Sequence, residues 1–337
     1  MDLEDNRQAL LFTAHHLIID GVSWRVILDD FITILKQLDE GSKIRLPLKT
    51  HSYKEWSEAL QTYRRNDFSE EVGYWKSILD KEISYNVDYN NEEDIVETSN
   101  ILSKEIDEET FSSLIQKVDE IYNMDLNEAL IIGLVLTLNK LTKKDEIIVE
   151  LERHGREAIN DYIDVSRTVG WFTSMYPAYF SIEHEDIEDN IKSLKEQFRN
   201  IPNNGFNYSI LKFLNKKLKG QESKYVRFNY LGDFDNIIDK EKLNISDIEF
   251  GLCSDDKNSL TALIDITAII INKKLKVTAE YSKRRFKDEI VEKFIESYIE
   301  TLKLILDKCS NKGFKEFTPS DFDAVDISQE DLDALFD

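Results

Sequence analysis

His15-His16-Leu17-Ile18-Ile19-Asp20-Gly21 runs straight into Val22-Ser23-Trp24-Arg25, and this stretch decides the reading of the chain. It closes an apolar run from Leu10 to His16 and opens onto a helix. On an extended backbone successive side chains point to opposite faces, so His15 and His16 cannot both look into one cavity. That disfavours a two-histidine metal site, whose ligands must converge on a point. The expectation is one buried histidine and one presented at a cleft as a proton-transfer group.

Outward from this stretch, Ile27, Phe31, Ile34, Leu35 and Leu38 recur at helical spacing over Ser23–Leu38, and Gly41 is placed to end that helix. Helices are also expected over Ser52–Tyr63 and Ser69–Leu79, anchored by Trp56 and Trp75, and as a pair over Asp107–Tyr122 and Asn127–Leu141. Ile187–Phe198, Tyr208–Leu218 and Phe286–Lys308 complete the helical segments. Strands are read at Glu146–Glu152, Trp171–Ile182 and Tyr225–Leu231, with a hairpin of Leu260–Ile271 and Leu275–Tyr281 around Asn272-Lys273-Lys274. This mixture argues for α/β or α+β layers. The polar run Tyr85 to Asn100, with Glu92-Glu93-Asp94, reads as an inter-lobe linker. It separates a first lobe (1–90) from a second (91–319), with an acidic tail at 320–337.

Composition narrows the function. The 337 residues are 41% hydrophobic and 32% charged, enough for a sizeable core. With 43 Lys plus Arg against 66 Asp plus Glu, the formal charge of −23 repels nucleic acid and anionic lipid. Cys253 and Cys309 form neither a disulfide framework nor a metal spacing. Met1-Asp2-Leu3-Glu4-Asp5 lacks a signal-peptide start, and the run Ala129 to Leu138 is too short to span a bilayer. A cytoplasmic protein without a nucleic-acid or membrane partner is expected.

Three further clusters carry chemistry. Leu151-Glu152-Arg153-His154-Gly155-Arg156-Glu157 follows a strand directly, where a partly buried carboxylate becomes suited to general acid/base work; a surface ion-pair network is the plainer alternative. Ser166 through Pro177, with small, hydroxyl and aromatic residues, suits either a tunnel wall or a core strand. In Phe228-Asn229-Tyr230-Leu231-Gly232, Asn229 and Tyr230 are placed to hydrogen-bond a developing oxyanion or simply to end a strand at a turn.

Together and in this order these clusters resemble a family. His15 through Arg25 is similar to the HHxxxDG motif of nonribosomal peptide synthetase condensation-type domains in its epimerization form, which the Val-Ser-Trp-Arg extension marks. Leu151 through Glu157, Ser166 through Pro177, Pro202-Asn203-Asn204-Gly205 with Tyr208-Ser209-Ile210-Leu211, Phe228 through Gly232, and Phe317-Thr318-Pro319-Ser320-Asp321-Phe322 resemble further motifs of that family.

The resemblance implies a chloramphenicol acetyltransferase-like fold, two α/β lobes in a V with a tunnel between them. In that family the HHxxxDG motif follows most of a first lobe. Here fourteen residues precede His15, so an incomplete, N-terminally truncated first lobe is implied. By resemblance, His16 and Glu152 are catalytic, and Asn229 and Tyr230 lie near the substrate. His15, Asp20, Gly21 and Arg156 are structural at the site, with Arg156 the candidate partner of Asp20. Trp24, Ser174 and Tyr176 would line the tunnel. No metal, nucleotide or redox cofactor is implied, because the substrate arrives as a thioester on the phosphopantetheine arm of a peptidyl carrier domain. The implied activity is L-to-D epimerization at the α-carbon. The alternatives are amide-forming condensation and a non-catalytic carrier-docking module on the same fold. The tail Ser320–Asp337 holds seven acidic and no basic side chains. Ile327, Leu332, Leu335 and Phe336 give it a partial apolar stripe, and it reads as a frayed end or as a docking segment for a downstream synthetase module.

Overall fold

The structure, a computed structural model, describes residues 8–83, 85, 93–219, 224–235, 251, 254–322 and 327–336, without the side chains of 333, 335 and 336. It divides into two compact units. One gathers 1–67, 153–174 and 233–253; the other gathers 68–152, 175–232 and 254–337. These groupings cut across the expected lobes 1–90 and 91–319, since the helix after residue 67 and the chain from 153 to 174 change sides.

The first unit is built on α1 (Gly21–Asp39) and α2 (Tyr53–Tyr63). Asp20 caps α1 by accepting from the Ser23 N–H, and Ser52 and Glu55 form a capping box on α2. Such caps satisfy backbone donors that have no partner within the helix. Gly41 follows α1 at φ +65°, as its placement predicts. Ile19, Val26, Ile32, Trp56, Ile159, Val165 and Phe172 are buried. Leu10 to His16 does not form the extended run expected. His16–Ile18 is a 3-10 turn, and Leu10, Leu11 and Phe12 are exposed. His15, the cap of that turn, keeps an extended backbone, and both histidines are exposed rather than one buried and one presented.

The loop between 153 and 174 turns at Gly155, with φ +65°. A Cβ there would sit 1.7 Å from the Phe172 carbonyl oxygen, so both conformation and space demand glycine. Gly155→Ala is expected to unfold this loop or destabilise the protein by at least about 2 kcal/mol, beyond the common range for surface changes. Urea denaturation would measure it, and a wild-type midpoint would show that the loop is not held as described.

The second unit centres on a six-stranded sheet. Its strands are β1 (Ser99–Ile106), β2 (Glu146–Arg153), β3 (Ser174–Ser181), β4 (Val226–Asp233), β5 (Ile264–Ile271) and β6 (Lys274–Ser282), in the order β1-β6-β5-β4-β2-β3. β2 and β4 run parallel with Glu150 opposite Arg227, while β6 is antiparallel to both β1 and β5. The β5–β6 turn places Asn272 and Lys273 at φ 51° and 59°, the left-handed pair of a tight two-residue hairpin. Helices α3 (Ser69–Leu79), α4 (Glu108–Tyr122), α5 (Leu126–Thr142), α6 (Ile187–Arg199) and α8 (Asp288–Ser310) build the layer beside it, with α8 packed on α4, α5 and β1. Among the described residues no single helix is long and apolar enough to cross a membrane. α4 and α5 meet that test only as a pair bent by 93°.

Three sequence expectations change here. Residues 86–92 of the supposed linker lie outside the described residues. Of the rest, the buried Tyr85 bonds the Ile148 carbonyl, and the buried Asp94 pairs with Lys224 at 2.9 Å and with Arg285. Ser99 already begins β1, so residues 93–100 are held structure, with Asp94 paired to charged partners far away in sequence. The single helix Tyr208–Leu218 becomes α7 (Phe206–Ser209) and a π-turn, Ile210–Leu214. It starts from Gly205 at φ +78°, where a Cβ would lie 2.1 Å from the Tyr176 ring. Finally, the tail is not frayed at its start. Asp321 binds Lys195 at 2.6 Å and Arg199 at 2.8 Å. Farther on, α9 (Gln329–Phe336) buries Leu332, while residues 323–326 and 337 of the tail lie outside the described residues.

Candidate functional site

The candidate residues fall into two groups, one in each unit. In the first unit, Asp20 is the hub. Its carboxylate accepts from Arg156 Nη1 at 2.7 Å and Nη2 at 3.0 Å, from the Ser23 N–H at 2.8 Å and hydroxyl at 2.7 Å, and from the Phe172 N–H at 3.1 Å. Burial raises the Asp20 pKa, but the Arg156 guanidinium, then the Ser23 and Phe172 donors, outweigh it, and the net shift is downward. Arg156 also donates to the Thr168 carbonyl at 3.0 Å and lies 4.2 Å over the Phe172 ring. This knot fixes the start of α1 and the turn carrying the two histidines. Gly21 is the first residue of α1, and Trp24 is half-buried on it.

His15 caps the 3-10 turn, its Nδ1 accepting from the Leu17 N–H at 3.1 Å, so the neutral ring carries its proton on Nε2. That contact gives His15 a structural task and leaves His16 as the more available ring. The His16 ring lies 5.3 Å from that of Trp171. Ser174 is buried, and among the described residues its hydroxyl has no hydrogen-bond partner.

In the second unit, Glu152 stands near the end of β2 with its side chain 19% exposed. Asn229 on β4 donates its amide to Glu152 Oε2 at 2.7 Å. The structure therefore joins two residues that the sequence reading placed in different roles. One of the Asn229 amide donors is spent on the carboxylate instead of an oxyanion. Tyr230, its neighbour on the strand, projects to the other face of the sheet, so the two do not converge on one atom. Tyr176 is 1% exposed and packs 5.9 Å from Trp75. It is a core residue of this unit, because the Gly205 turn closes directly onto its ring.

Arg227 was missed. It precedes the Phe228 to Gly232 motif, yet its spacing of two from Asn229 on a strand is the signal that would have found it. Among the described residues no group of three or more His, Cys, Asp or Glu is arranged to hold a metal ion.

A half-buried carboxylate held by a neutral amide and an exposed imidazole on a fixed turn are each suited to moving protons. Comparison with known proteins places this pattern. The profile of the condensation-domain family matches residues 1–328, and the chain belongs to that family. It is 32% identical to surfactin synthase subunit 1 of Bacillus subtilis (strain 168) over 97% of its own length and 9% of that protein's. It is also 32% identical to gramicidin S synthase 1 of Brevibacillus brevis, over 98% of this chain and 32% of the other. The chain thus spans a minor part of these curated relatives.

Among solved structures, it is similar to the epimerization domain from the third module of tyrocidine synthetase B. The TM-score is 0.80 and the identity 30%, over 88% of this chain and 68% of that one. The first condensation domain of the calcium-dependent antibiotic synthetase shares the fold at TM-score 0.61 and 15% identity. The fold is thus the mixed α/β one of condensation domains, which is of the chloramphenicol acetyltransferase type.

Proposed function

We propose that this domain interconverts the L and D configurations at the α-carbon of an aminoacyl or peptidyl thioester held on the phosphopantetheine arm of a carrier domain. The observation that carries this reading is Glu152, a half-buried carboxylate oriented by Asn229, in a chain whose likeness extends over most of an epimerization domain. Amide formation needs no second proton-transfer group beside a histidine, whereas inversion of a carbon centre needs a proton taken from one face and returned to the other.

In the proposed step the Glu152 carboxylate removes the α-proton. The C–H electron pair moves into the thioester carbonyl to give an enolate, and protonated His16 delivers a proton to the opposite face. The reverse direction exchanges the two roles. Atoms and electrons balance without an added oxidant or reductant, and L and D products are close in energy. The downstream-facing role of the acidic tail stays a proposal: a basic partner surface would bind it in a salt-sensitive way.

The test is to present L-aminoacyl thioesters on a carrier domain and determine the chirality of the residue after hydrolysis, with a second aminoacyl carrier offered in parallel. A mixture of L and D is expected. Dipeptide formation with retained configuration would install the amide-forming alternative, and binding without either reaction would install the docking alternative.

A further inference from the structure

Arg227 lies two residues before Asn229 on β4 and shares its face of the sheet. Across the parallel ladder it faces Glu150, itself two residues before Glu152. The residue is 9% exposed. Its Nε donates to Glu150 Oε2 at 2.7 Å, Nη1 to Asp265 Oδ2 at 3.1 Å, and Nη2 to Thr261 Oγ1 at 2.9 Å. The same Nε stands 4.0 Å from Glu152 Oε1, while Asn229 holds the other oxygen, Oε2. One buried positive charge therefore sits among three carboxylates drawn from two strands, Glu150 and Glu152 on β2 and Asp265 on β5.

Among the described residues the other charged or titratable groups around this row include Tyr208, which feels the charge of Glu150, and Lys276, which shares the face of Glu280 on β6. On β6, Glu280 is opposite Asp265. On β3, Tyr179 donates to Glu146 at the far end of β2. Burial opposes the charge on Arg227, but Glu150 and Asp265 restore it and shift its pKa upward. Burial raises the Asp265 pKa despite Arg227.

We propose that Arg227 is a positioning residue for Glu152, a buried cation beside its carboxylate that favours the deprotonated form ready to receive the α-proton. The proposal rests on the reading of Glu152 as a proton-transfer group. With Arg227 the cluster Glu150, Glu152, Asp265 and Arg227 carries a formal −2; without it, −3. An opposite charge at this range lowers a carboxyl pKa by about 1–3 units, and removing it should return that shift. Lysine should keep most of the effect, while losing the multiple contacts of a guanidinium.

The experiment follows the Glu152 side-chain carboxyl by 13C NMR across pH, using Glu152→Gln to assign the resonance. In Arg227→Gln the titration midpoint should rise by about 1–3 units. It should fall back in Arg227→Gln/Asp265→Asn, which restores the formal −2, and stay near wild type in Arg227→Lys. Asp265→Asn alone should lower the midpoint, which keeps the test available if Arg227→Gln does not fold. The acid limb of the α-proton exchange rate, measured with carrier-bound L-phenylalanyl thioester, should move with the midpoint. Midpoints unmoved in folded Arg227→Gln, or in Asp265→Asn, overturn the role given to Arg227. Midpoints that move while Glu152→Gln still exchanges at the wild-type rate overturn instead the reading of Glu152 on which it rests.

Discussion

Glutamine at position 152 is expected to slow α-proton exchange on a carrier-bound thioester by about 10²–10⁴-fold, the usual contribution of one general acid or base. The substitution is nearly isosteric, and its amide oxygen still accepts from Asn229, so β2 and β4 keep their contact. What disappears is the capacity to hold the proton. His16→Ala should cost a similar factor, because the returning proton has no donor. The imidazole is exposed and lies against Trp171, so the variant should unfold at the wild-type denaturant concentration. Exchange measured by mass spectrometry in deuterated buffer separates the two cases. Loss in Glu152→Gln with full exchange in His16→Ala would reduce the mechanism to a single carboxylate, and full exchange in both would remove it.

Arg156→Met should produce the largest loss of stability, about 3–5 kcal/mol, because it leaves the Asp20 carboxylate buried without its counter-ion. Both side chains are almost wholly buried, at 6% and 2% exposure, so solvent screening does little to soften the loss. The pH dependence has a definite sign. Folding lowers the Asp20 pKa, so its contribution is complete above the ordinary carboxylate value of about 3.9. It is lost as the pH falls through the lower folded value. The gap between wild type and Arg156→Met should therefore be widest near neutrality and narrow in acid, where Asp20 takes up a proton. Adding Asp20→Asn to Arg156→Met should recover part of the loss at pH 7. Urea unfolding at several pH values measures all three, and a gap constant across pH would show that the pair is not what the variant breaks.

Much of this was legible in the residues. The helices begun at Ser52 and Asp107 were readable to within a residue, while the first helix starts at Gly21, two residues before the expected Ser23. The hairpin was readable because Asn272-Lys273 tolerates two left-handed residues. The pairing of Asp20 with Arg156 came from the family resemblance, and the structure supplies its geometry. Other features depend on distant partners and have no local signature. The run 93–100 looked like a linker because its charges seemed solvated, yet Asp94 meets Lys224 and Arg285. Tyr208–Leu218 carries helical spacing, but the Gly205 turn packed on Tyr176 leaves room only for α7 and a π-turn. Asn229 looked like an oxyanion donor because a strand motif does not reveal the carboxylate on the next strand. Both histidines are exposed, and His16 opens a 3-10 turn that apolar content alone did not foretell.

The most direct measurement starts the domain in deuterated buffer from a carrier-bound L-aminoacyl thioester and, separately, from its D form. Proton transfer at the α-carbon predicts that both converge on one L/D ratio, with deuterium at the α-position of every inverted molecule. Retained configuration and an α-hydrogen that never exchanges, in protein shown to bind the carrier, would contradict the account.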